Sequence, residues 1–102
     1  MNMRDYWNNV ADPDEEALAA EIIEIVKKAA PYTYSEMQEL RIAAELCDRG
    51  HFERQIAVLA EKAGEKVPAG LAVIMEDPDF DVRVSFMKAV VAAVDPAPTP
   101  AR

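Results

Sequence analysis

Asp-Pro pairs punctuate this chain at residues 12–13, 77–78 and 95–96, and they limit what it folds into more than any other feature. An aspartate before a proline suits a helix start, because its carboxylate caps free amide groups and the proline ring is pre-set for the first turn. A proline also stops whatever helix precedes it. The chain therefore reads as helices separated by short stops.

The apolar residues between the stops recur at helical spacing. After Asp12 the first helix is expected over about Pro13 to Ala30, with Leu18, Ile22, Ile25, Val26 and Ala29 on one face. Its opening acids complement the positive end of the helix dipole, and Pro31 stops it. Thr33 and Glu36 stand in capping-box register and start a second helix that runs to about Asp48, where Gly50 supplies the left-handed residue. A third helix is expected from about Phe52 to Ala63 and closes on Gly64, and so short a linker implies that the second and third pack antiparallel. A short apolar piece follows, Ala69 to Glu76. The last helix runs from about Asp79 to Val94 and carries two apolar stripes, Phe80-Val84-Met87-Val91-Val94 and Val82-Phe86-Val90-Ala93. Together these cover roughly 200° of its circumference, so it is either central to the bundle or shared with a partner.

The expected fold is thus all-α, a compact bundle of four main helices plus one short helix, built of antiparallel hairpins. Residues 12–95 form the single helical domain, 1–11 a polar leader with an aromatic pair, and 96–102 a proline-rich flexible tail. At 102 residues, 51% of them apolar, the chain has enough material for one core.

Nineteen acidic against eleven basic side chains leave a net charge of −8, which repels nucleic-acid backbones and anionic lipid surfaces. Direct nucleic-acid binding is disfavoured, and a basic protein partner is suited. No stretch approaches a membrane span, no signal peptide is evident, and the single cysteine, Cys47, fits a reducing compartment, so a cytoplasmic location is expected.

Two stretches carry family resemblance. The piece Leu71-x-x-Ile74-Met75-x-Asp77-Pro78-Asp79-x-x-Val82-Arg83 resembles a HEAT-type repeat, in which a short helix ends at an Asp-Pro turn and the next opens with a Val-Arg pair. That resemblance implies a bond between aspartate and arginine along the stack. Ala43-Ala44-x-Leu46-x-x-x-Gly50-x-Phe52-x-x-x-Ile56-x-x-Leu59 is similar to the turn region of a tetratricopeptide hairpin, with Gln55 where that family prefers alanine. Both resemblances imply scaffolding rather than chemistry.

Candidate chemistry is scarce. Cys47 and His51 are the only residues of their types and lack the further ligands that a zinc site needs. Ser35 and Ser85 have no histidine near them in sequence, and the glycines are isolated rather than gathered into a phosphate loop. No enzyme activity, cofactor or metal is expected. Two features point instead to protein contacts. Tyr6 and Trp7 precede the first cap, and acids gather from Asp12 to Glu24 and again from Glu76 to Asp81. The expected function is therefore a non-enzymatic protein-interaction module, an adaptor or regulator, self-associating as a homodimer through helix 79–94. Its candidate contacts are Tyr6, Trp7, Glu15, Glu16, Val82, Arg83, Phe86 and Val90. The alternative is an acidic inhibitor of the phage type, a nucleic-acid-mimicking decoy that binds a basic protein surface.

Overall fold

In the computed structural model, which describes residues 13–94, the chain is all-α. Helix α1 spans Pro13–Lys27, α2 Tyr34–Glu45, α3 Arg49–Ala63, α4 Gly70–Met75 and α5 Phe80–Val94. Four main helices and one short one match the expected set, and no strand occurs among the described residues.

The core assembles from the predicted faces. Ile22 and Val26 of α1, Leu40 and Ala43 of α2, Phe52, Ile56 and Leu59 of α3, Leu71 and Met75 of α4, and Phe86, Met87 and Val90 of α5 are all sealed from solvent. Such burial of apolar surface is the main force holding a bundle of this size together. Helix α5 packs chiefly on α1 and also on α2, while α3 packs on α2 and α1. Most of the wide apolar arc of α5 is thus spent on several neighbours inside the bundle, while Phe80 at its start stays 55% exposed. No buried side chain is polar or charged among the described residues.

The α1–α2 connection is tied down by hydrogen bonds. Tyr32 donates its hydroxyl to the Val26 carbonyl at 2.9 Å, a second bond to an oxygen that also accepts from Ala29 N at 2.9 Å in the last turn of α1. Burial raises the Tyr32 phenol above its ordinary value, and the Glu36 carboxylate adds to that. Thr33 and Glu36 form the expected capping box: Glu36 N donates to Thr33 Oγ1 at 3.0 Å and Thr33 N to Glu36 Oε1 at 2.8 Å. Lys62 of α3 joins both elements, donating to Glu36 Oε1 at 2.9 Å and to the Pro31 carbonyl at 2.8 Å. The backbone bond from Thr33, followed by the Lys62 ammonium, holds Glu36 below the usual carboxylate value.

The α2–α3 link departs from the sequence expectation. Cys47, not Gly50, adopts the left-handed conformation, with φ at 57°. Its N–H donates to Ala44 O at 3.2 Å and Asp48 N to Ala43 O at 3.0 Å, which closes α2 in a Schellman arrangement. Asp48 then caps α3 by accepting from His51 N at 3.0 Å, so α3 begins at Arg49 and takes Gly50 into its first turn. The same closure ends α3, where Gly64 sits at φ 75° as expected.

Candidate interaction groove

The short helix α4 turns one face toward the start of α1. Gly70, Val73, Ile74 and, just past its end, Asp77 fall at the i, i+3, i+4 and i+7 spacing of a single helical face. That face meets the first turns of α1. Together Asp14, Glu15 and Leu18 of α1 with Gly70, Val73, Ile74 and Asp77 line an open groove of about 350 Å³.

Gly70 sets the closed part of the groove. A Cβ there would lie 3.2 Å from Leu18 Cδ1, so the missing side chain is what lets the two helices approach this closely. The floor is apolar, and Val73 remains 71% exposed on it. The carboxylates stand one turn away along the chain, Asp14 and Glu15 before Leu18 and Asp77 after Val73 and Ile74. Acids from the two separate runs, 12–24 and 76–81, thereby share one groove.

The turn that carries Asp77 is fixed from three sides. Asp77 Oδ1 accepts from Asp79 N at 2.7 Å, and Asp79 Oδ1 caps α5 by accepting from Asp81 N at 2.9 Å and Val82 N at 3.4 Å. Arg83 donates from Nη1 to the Asp77 carbonyl at 2.7 Å, with its guanidinium 5.7 Å from the centre of the Phe80 ring. Arg49 donates from Nη1 to the Met75 carbonyl at 2.9 Å. Two arginines thus satisfy carbonyls at and beyond the C-terminus of α4, where the helix dipole favours positive charge.

The candidate contacts fall in different places. Glu15 lines the groove and Glu16 is exposed beside it in the first turn of α1. Arg83 is half-buried, and it donates to the main-chain oxygen of Asp77 rather than to an aspartate carboxylate as the HEAT-type resemblance implies. Val82, Phe86 and Val90 are buried in the core, so next to nothing of these three side chains is left for a second copy. Tyr6 and Trp7 lie outside the described residues. Val73 and Gly70 are not among the candidates drawn from the sequence, although their spacing with Ile74 and Asp77 marks one helical face.

The Cys47–His51 pair presents no ligand set. His51 Nε2 lies 2.8 Å from Glu39 Oε2, a partner from α2, and its side chain is largely covered. Among the described residues no three His, Cys, Asp or Glu side chains are grouped as metal ligands, and no buried side-chain polar atom lacks a partner. No helix is long and apolar enough to cross a membrane, among the described residues. What the groove offers is an apolar floor, a carboxylate rim and a rigid turn. Comparison with known proteins adds no relative: no family model, curated protein or solved structure matches the chain.

Proposed function

We propose that this chain is a non-enzymatic protein-binding module, an adaptor or regulator, that meets a basic surface of a partner protein at the α1–α4 groove. The observation that carries this reading is the convergence of Asp14, Glu15 and Asp77, from two acidic runs far apart in sequence, on one apolar-floored depression. A net charge of −8 steers a basic partner toward the module, and the local carboxylates fix where it lands. An open groove with exposed Val73 supplies apolar surface to bury once contact is made.

The test is affinity capture from the cells that make the protein, with the wild type and an Asp14→Asn, Glu15→Gln, Asp77→Asn variant run in parallel. The reading expects a basic protein retained by the wild type at low salt, released as ionic strength rises, and lost in the variant. Retention of the same proteins by the variant contradicts it. Exposed Glu76, Asp79 and Asp81 beyond the groove favour a second reading, an acidic decoy that fills a nucleic-acid-binding surface of its partner. In that case the captured protein loses its binding to DNA or RNA when the module is added.

A further inference from the structure

Resting on that reading, we infer that the groove takes a short linear segment of the partner, one apolar side chain flanked by lysines or arginines, rather than a broad flat surface. The dimensions favour this occupant. Helix α4 is six residues long, so its face spans about 9 Å, the length of roughly three residues of an extended peptide. The volume of about 350 Å³ is at the small end for binding pockets and suits a few side chains.

The chemistry selects the same segment. An apolar side chain reaches the floor of Leu18, Val73 and Ile74, which Gly70 closes at its base by letting Leu18 pack directly on α4. Its neighbours in the segment then lie one turn away from that floor, where Asp14 and Glu15 stand on one helix and Asp77 beyond the end of the other. Asp77 is held in place by the Arg83 bond to its own carbonyl and by the Asp79 amide, so the rim is positioned before the ligand arrives. A purely polyanionic face needs no apolar floor. A purely apolar docking site needs no rim of acids.

The experiment is an NMR titration of the full chain at low salt with three capped pentapeptides, Lys-Lys-Leu-Lys-Lys, Lys-Lys-Ser-Lys-Lys and Glu-Glu-Leu-Glu-Glu. The leucine peptide is expected to shift the amides of Leu18, Gly70, Val73 and Ile74 and to bind about fivefold more tightly than the serine peptide. Val73→Ser should reduce the leucine peptide to the affinity of the serine one, and the acidic peptide should not bind. Equal binding of the leucine and serine peptides at the groove overturns this inference while leaving attraction to a basic partner intact. Shifts from neither basic peptide in the groove overturn both readings. Concentration-dependent shifts of the same amides without peptide assign the groove to a second copy of the chain and overturn the inference.

Discussion

Arg83 Nη1 holds the main-chain oxygen of Asp77 at 2.7 Å, and so the arginine clamps the peptide of the turn rather than its acidic side chain. This distinction makes a prediction. Arg83→Met keeps the stem but removes the donor, and should cost about 1–2 kcal/mol in urea denaturation. Asp77→Asn preserves both the carbonyl and a side-chain acceptor for Asp79 N, and should change stability by less than about 0.5 kcal/mol. Equal losses in the two variants would show that a carboxylate–guanidinium pair carries the contact instead.

Val90 is sealed between α5 and its neighbours. Val90→Glu should therefore unfold the protein, because it places an unpaired carboxylate in an apolar interior. Circular dichroism is expected to show loss of helix, and sedimentation should show no folded monomer released from a dimer. A well-folded Val90→Glu monomer would contradict the burial of this face.

The left-handed residues that close α2 and α3 predict contrasting sensitivities. Gly64→Ala meets no neighbouring atom, yet it should cost about 1 kcal/mol, because φ of 75° disfavours a Cβ. At Cys47 the φ of 57° already carries a side chain, and a β-branched replacement is worse. Cys47→Val should lower the melting temperature more than Cys47→Ala, although valine fills more space. The reverse order would mean that packing rather than backbone conformation decides this position.

Glu36 gives the fold an acid-sensitive element. Its folded carboxyl is held below the ordinary 4.5 by the Thr33 amide and then by Lys62, so the stabilisation is present at neutral pH. It is lost as pH falls below the ordinary value and through the folded one. Thermal melts of wild type and Glu36→Gln should therefore differ at pH 7 and converge below pH 4.5. A difference that persists unchanged into acid would assign the effect to something other than this charge.

Much of the fold was legible in the sequence because its signals are local. Thr33 with Glu36, Gly64, and the spacing of Ile22, Val26, Phe52 and Ile56 each specify one helix without knowledge of the others. The α2–α3 turn was misread because a glycine usually takes the left-handed position, whereas Asp48 is needed as a cap and shifts that position back to Cys47. The groove was only half visible. Its acids stand out as charge runs, but the pairing of residues 14–18 with 70–77 is a tertiary fact that no local pattern encodes. The valines and Phe86 of α5 read as a shared surface because their number exceeds one stripe, and packing against α1 and α2 buries Val82, Phe86, Val90 and Val94 and partly covers Val84 and Val91.

Amide hydrogen exchange on the complex with the captured partner tests the central claim most directly. Binding should protect residues 14–18 and 70–77 and leave the exposed side of α2 around Tyr34, 81% open to solvent, unchanged. Protection centred on Tyr34 or Leu46, with none at 14–18 and 70–77, would place the binding face elsewhere and contradict the account.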